Sequence, residues 1–158
     1  MMKVRLELDE VIKAAQVGIA RQYESLYHER REMLGLSKLF EAHIIGALGE
    51  KAFAKALGLE WTEHTERFGA LSDVGEYHIR STKYQSGKLR IDEHEVVDNE
   101  KYALMIQLDE FGFEWRVAGW CYSHEAKEIG WFGSLQPNRP KKSYWVEQKD
   151  LNQFEAGW

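Results

Sequence analysis

Residues 102–108 read YALMIQL, an apolar run too short to cross a membrane and without the polar alternation of a half-exposed strand. Such a run belongs in the middle of a sheet, so a central strand is expected there. A turn at 109–112 (DEFG) and the segment 113–121 (FEWRVAGWC) supply its hairpin partner. Near the N-terminus Val4, Leu6 and Leu8 alternate with Lys3, Arg5 and Glu7, a strand signal over 2–8. Ser123 is expected to cap a short helical turn (HEAKEI), and Tyr144, Trp145 and Val146 read as the last strand.

Two helices are expected between the first strand and the rest. Asp9 offers an N-cap, and Val11, Ile12, Ala15, Ile19, Tyr23 and Tyr27 recur at three- and four-residue spacing as an apolar face. That helix runs to about residue 27, and the charged segment 28–33, with His28 on the surface, continues or frays toward Gly35. A second helix opens at Ser37 and stops at Gly58, which serves as its C-cap. Gly46 and Gly49 inside it each cost roughly 1 kcal/mol relative to alanine, which predicts close approach of another backbone. The architecture expected is α/β in the α+β sense, a mixed sheet backed by the N-terminal helices. One domain is expected over 1–158, helical over 9–58 and sheet-forming over 73–148.

Composition removes several classes of function. Hydrophobic residues at 44% and charged residues at 30% sit near globular averages, which argues against a disordered chain or a membrane protein. The N-terminus carries no apolar signal core, so secretion is not expected, and the single Cys121 suits a reducing cytoplasm. Without a CxxC pair there is no thiolate zinc site or dithiol redox centre to consider. A net charge of -5 argues against a protein that coats nucleic acid by charge alone. It is compatible with a nuclease, whose metal-holding carboxylates make the site acidic while basic clusters steer the phosphate backbone. The clusters here are Lys83, Lys88 and Arg90, then Arg139, Lys141 and Lys142.

Residues 71–90 (LSDVGEYHIRSTKYQSGKLR) hold an aspartate, two glycine turns and an alternating strand over 76–82. Period-two geometry puts Glu76, His78, Arg80 and Thr82 on one face, with Tyr77, Ile79, Ser81 and Lys83 on the other. Gln85, Ser86 and Gly87 form a turn into a short strand over 88–91, which predicts a hairpin, and the acidic segment 92–100 is expected as an exposed loop. The segment 61–70 reads as a loop. On the second helix Glu50 shares the sector of Ala47 and Phe53. Its plain reading is a boundary carboxylate paired with Lys51, Lys55 or Arg80. His43, His64, His94 and His124 have no matched spacing and read as surface or satisfied core residues. Trp115, Trp120, Trp131 and Trp145 are read first as core, with base stacking as the lesser reading.

Taken in order, the motifs are Gly49-Glu50 through Ala54 to Gly58, Asp73-Val74-Gly75, Ile79-Arg80-Ser81-Thr82, Gly87-Lys88-Leu89, Gly119-Trp120, and Tyr144-Trp145-Val146-Glu147-Gln148. This series resembles the PD-(D/E)XK nuclease superfamily, above all its small phage-encoded members, over residues 46–151. The resemblance implies a restriction-endonuclease-like core and metal-dependent hydrolysis of DNA phosphodiesters by a phage or mobile-element nuclease. It implies a catalytic set of Glu50, Asp73, His78 and Arg80, with Glu50, Asp73 and His78 holding Mg²⁺ or Mn²⁺. Histidine and arginine depart from the family's acidic and lysine positions. Imidazole favours softer metals such as Mn²⁺, and a guanidinium grips phosphate but does not act as a proton-transfer base. The alternative is a degenerate nuclease-fold domain that binds nucleic acid or a protein. DNA is the expected partner; RNA, a second copy of the chain and a host protein stay open, and no membrane partner is expected. The location expected is the cytoplasm, that of the host if the chain is phage-encoded.

Overall fold

The computed structural model describes residues 2–27, 36–63, 72–135 and 141–155. The expectations for His28, the 28–35 connection, His64, the 64–70 part of the loop, Leu71, Pro137, Arg139 and Pro140 lie outside the described residues. Strand β1 (Met2–Arg5) leads into helices α1 (Leu8–Tyr27) and α2 (Leu36–Leu57). Strands β2 (Tyr77–Thr82), β3 (Leu89–Asp92), β4 (Lys101–Gln107) and β5 (Glu114–Tyr122) follow. A short helix α3 (Ala126–Ile129) precedes β6 (Trp131–Gly133) and β7 (Ser143–Val146). Among the described residues no helix is long and apolar enough to cross a membrane.

The strands form two sheets, and the class is mixed α and β. The first sheet has the order β1-β5-β4-β2, with β2 parallel to β4 and the other pairs antiparallel. The second has the order β3-β7-β6, antiparallel throughout. As the apolar run 102–108 requires, β4 is central: residues 102–107 are all buried. Its Ala103 and Met105 join Leu6, Leu48, Ala52, Phe53 and Trp115 in a core under the helices. Its Tyr102, Leu104 and Ile106 join Leu89, Ile91, Cys121 and Val146 in a second core under the outer sheet. Helices, first sheet and outer sheet are therefore three layers, with one apolar interior on each side of β4. Burial in the second core pushes the Cys121 thiol up to about 12, so it packs as a small hydrophobe.

Several local expectations need correction. The glycine turn after β2 is present, Gly87 N–H donating to the Tyr84 carbonyl at 3.0 Å, but no β2–β3 hairpin follows from it. Strand β3 pairs with β7 in the outer sheet instead, because Leu89 and Ile91 belong to the second core. Segment 92–100 is not simply a solvated loop: Asp92 is buried and Glu93–Glu95 form a 3₁₀ turn. Ser123 is buried and bonds the Val97 backbone, accepting from its N–H at 3.1 Å and donating to its carbonyl at 2.7 Å, rather than capping α3.

The face of α1 is also turned from the one expected, although Val11 still packs on the first core. Ala14, Val17, Arg21, Gln22 and Ser25 are buried, while Ile12, Ile19 and Tyr23 of the expected apolar face are exposed. Gly18 allows this seating, since a Cβ there would lie 2.6 Å from the Ile44 Cα of α2.

Gly49 is needed on α2 for a similar reason. A Cβ on it would fall 1.8 Å from Ser81 Oγ and 2.8 Å from Ser81 Cβ on β2, whereas Gly46 faces open space. Close approach is thus met at one of the two glycines. Gly119 has φ of +141° at the β5 irregularity, where Leu151 Cβ and the Asn152 carbonyl would each lie 2.7 Å from an added Cβ. Gly49→Ala is expected to lose about 1–3 kcal/mol by overpacking, and Ser81→Gly in the same chain to recover part of it. Urea unfolding of the two variants checks this pair.

Candidate functional site

Strand β2 is the element on which the implied site residues meet or part. Its entry is tied by Asp73: Oδ2 accepts the Ile79 N–H at 2.6 Å, and the Asp73 N–H donates to the Tyr77 carbonyl at 2.9 Å. Gly75, at φ +56°, lets the chain double back so that Val74 and Tyr77 pair. A buried carboxylate that accepts backbone N–H groups fixes geometry as well as charge. From there the strand alternates. Tyr77 meets Phe53 of α2 edge-on at 5.2 Å and Ser81 abuts Gly49, so odd-numbered residues face the helices. Lys83 follows the same parity and pairs with Glu41 of α2 at 2.6 Å.

On the helix side, Glu50 is 2% exposed and held from two directions. Arg21 of α1 reaches both its oxygens, Nη1 to Oε2 at 2.8 Å and Nη2 to Oε1 at 3.1 Å. The Trp61 indole N–H adds a third bond to Oε1 at 3.2 Å. The partners expected from sequence, Lys51, Lys55 and Arg80, are not those of Glu50. Lys51 and Lys55 turn to Glu10, at 3.6 and 2.6 Å.

On the other side lie His78 and Arg80. Register sets His78 beside Tyr102 of β4, and the two rings stack with centroids 4.6 Å apart. His78 Nε2 lies 2.9 Å from Glu100 Oε2. Arg80 bonds Glu95 and lies over the Tyr102 ring at 5.1 Å, while the Tyr102 hydroxyl donates to Glu95 Oε2 at 3.1 Å. Burial disfavours the Arg80 cation, but Glu95, Tyr102 and Asp73 outweigh it and hold the guanidinium above its ordinary pKa. Burial would raise Glu95, yet Arg80 holds its carboxyl below the usual value. The Tyr102 phenol is pushed up, first by burial and then by Glu95. Nearby, Asp92 accepts from Ser143 Oγ at 2.6 Å and from Lys141 at 3.1 Å. Against the cost of burial, these bonds and the Arg90 charge depress its pKa.

The expected convergence of Glu50, Asp73, His78 and Arg80 on one pocket is therefore not what the structure brings together. Glu50 sits on the helix face of β2, His78 and Arg80 sit on the opposite face, and Asp73 fastens the strand's entry. As donors for Mg²⁺ or Mn²⁺ the three implied ligands do not fit one ion. Both Glu50 oxygens already accept from Arg21, one Asp73 oxygen accepts a backbone N–H, and the His78 ring is across the strand from Glu50. Among the described residues no group of three or more His, Cys, Asp or Glu side chains is placed to hold a metal ion.

The residues that sequence reading missed are the partners. Arg21 lies on the buried sector of α1, four residues after the buried Val17, a sector that the apolar spacing of the helix did not mark. Glu95, Glu100 and Tyr102 meet His78 and Arg80 through a parallel strand pairing that nothing local in the sequence marks. No family model, no curated protein and no solved structure matches the chain.

Removing one partner of the buried pair leaves the other charge uncompensated. Arg21→Met is thus expected to destabilise the fold by about 3–5 kcal/mol, and the Arg21→Met, Glu50→Leu double variant to recover most of that loss. Chemical denaturation of the two singles and the double measures the coupling. A second expectation concerns acid. Glu95 and Asp92 both titrate below their usual values near 4.5 and 3.8, so their contribution is present above those values and is lost as pH falls through the folded-state pKa. Glu95→Gln should cost about 2 kcal/mol at pH 7 and make the acid-unfolding limb shallower.

Proposed function

We propose that this chain is a restriction-endonuclease-like domain that binds DNA without hydrolysing it. The observation that carries the reading is the engagement of the implied catalytic positions by the protein's own counter-charges on two sides of β2. A hydrolytic site needs its carboxylates turned toward an ion and its cation turned toward the scissile phosphate. Here the Glu50 carboxylate neutralises Arg21 and the Arg80 cation is neutralised by Glu95.

The outer sheet offers a surface suited to DNA. Leu89, Ile91 and Val146 point into the second core, so Arg90, Trp145 and Trp131, one row across β3, β7 and β6, point outward. Trp131 is 53% exposed. At the β6 edge, on the side of Phe132 rather than that of Trp131, an open depression of about 710 Å³ is lined by Phe132, His94, Lys141, Lys142 and a single carboxylate, Glu93. Lys142 has no ion-pair partner among the described residues. Exposed aromatic faces beside cations suit unpaired bases and their phosphates, and this local balance opposes the chain's net charge of -5.

Metal-dependent hydrolysis with Mg²⁺ or Mn²⁺ is the second reading. It is favoured by Asp73 lying within electrostatic reach of Arg80 and by Arg80 Nε, which finds no acceptor among the described residues. One experiment separates the two. A 15-nucleotide oligothymidylate and a duplex are titrated at several salt concentrations, then incubated with each metal. Binding without cleavage is expected, with Trp131→Ala weakening oligothymidylate binding about tenfold. Lys142→Ala should flatten the salt dependence by about 0.7 in log–log slope. Cleavage abolished by Asp73→Ala would return the chain to the metal-dependent endonucleases. Absence of binding to DNA and to a matching RNA would leave a protein partner.

A further inference from the structure

Helix α1 carries an apolar stripe that the fold leaves in water. Leu8, Ile12, Ile19, Tyr23 and Leu26 are 63, 49, 40, 61 and 43% exposed. On a helix of 3.6 residues per turn the five fall within a sector of about 60°, with the half-buried Ala15 at its margin. Ala14, Val17, Arg21 and Ser25 lie well round the helix from the stripe and are buried, with Gln22 buried between them and the stripe, where α1 packs on α2. The helix thus shows water a row of large apolar side chains while burying Arg21, Gln22 and Ser25 beside Ala14 and Val17, more apolar surface than a helix whose only apolar contact is its own core leaves exposed.

We infer that this stripe is the interface with a second copy of the chain, packed antiparallel along α1. Three observations select that occupant. The spacing of four, seven, four and three residues is heptad-like, which is the repeat that keeps one seam facing another helix. The ends and the middle of the stripe are symmetric about residue 17, so a twofold axis there sets Leu8 opposite Leu26 and Ala15 opposite Ile19, with the small side chain of Ala15 allowing close approach; Ile12 and Tyr23 each fall one residue from the other's mirror position. Each large side chain leaves on the order of 100 Å² in water, so a pair would bury on the order of 1,000 Å², the lower bound for a specific interface. Antiparallel packing also opposes the two helix dipoles favourably. A dimer of modest affinity follows, in the micromolar range rather than an obligate one.

The test uses the full chain in sedimentation equilibrium between about 1 and 100 μM. The expected result is a concentration-dependent rise from 18.5 kDa toward twice that mass. Ile19→Glu, which sets a charge in the seam without touching the core, should weaken association at least 100-fold with the far-UV circular dichroism unchanged. Gln16→Cys lies beside the twofold and should form an intermolecular disulfide on mild oxidation, while Asp9→Cys, near the helix end, should not; the native Cys121 is buried. A wild-type monomer at 100 μM, a dimer untouched by Ile19→Glu, or cross-linking at Asp9→Cys in place of Gln16→Cys would each overturn the inference.

Discussion

The bidentate pair between Arg21 and Glu50 sets the roll of α1, and much else follows from that roll. Two buried charges cost several kcal/mol each unless they meet with good geometry, so Arg21 has to face α2 wherever Glu50 is buried. Turning Arg21 inward carries Ala14, Val17, Gln22 and Ser25 with it. It leaves Ile12, Ile19 and Tyr23 outside. The pair also explains why α1 seats at Gly18, where the chain can approach Ile44 without a side chain between. One polar contact therefore decides which surface of the helical layer meets water. Hydrophobic burial alone would have favoured the other sector.

Strand β2 has the complementary role of keeping charges apart. Its even-numbered residues carry His78 and Arg80 to a polar cluster with Glu95, Glu100 and Tyr102, and its odd-numbered residues pack on α2. Side-chain alternation is rigid, so Glu50 and Arg80 cannot share a phosphate without β2 being reversed in face. Asp73 contributes from the strand's entry, where its bond to the Ile79 N–H holds the turn closed.

Legibility in the sequence followed the range of the interactions. The central strand β4, the β4–β5 hairpin, the span of α2 and its stop at Gly58 were readable, since each depends on composition or turn chemistry within a dozen residues. The parity of His78, Arg80 and Lys83 on β2 was readable for the same reason. What escaped was set by partners far along the chain. The 85–87 turn predicted a hairpin, but Leu89 and Ile91 were drawn to the outer sheet by Val146 and the second core. The acidic segment 92–100 looked solvated, but two of its carboxylates serve Arg80, Arg90 and Lys141. The face of α1 was misread because apolar spacing outvoted Arg21, and only Glu50, 29 positions later, reverses that vote. Trp115 is core as expected, while Trp131 is not: β6 is an edge strand of three residues with little to cover it.

The two surfaces assigned above lie in different layers, which has a consequence for how they would act together. The α1 stripe belongs to the helical layer and the Arg90–Trp145–Trp131 row to the outer sheet, with the first sheet between them. Association through α1, as inferred, would leave both outer sheets uncovered, so a dimer would present two separate copies of the proposed stacking surface. If one site binds a strand weakly, a second on the same particle converts the next contact on that strand into an intramolecular event. Apparent affinity then rises by orders of magnitude only where the strand is long enough to span both surfaces. On the proposed reading, short oligonucleotides would report the single site and long ones the pair. If the chain binds nucleic acid as proposed, pairing would raise its affinity where added lysines would not, because added cations would have to be balanced against carboxylates that already hold the fold together.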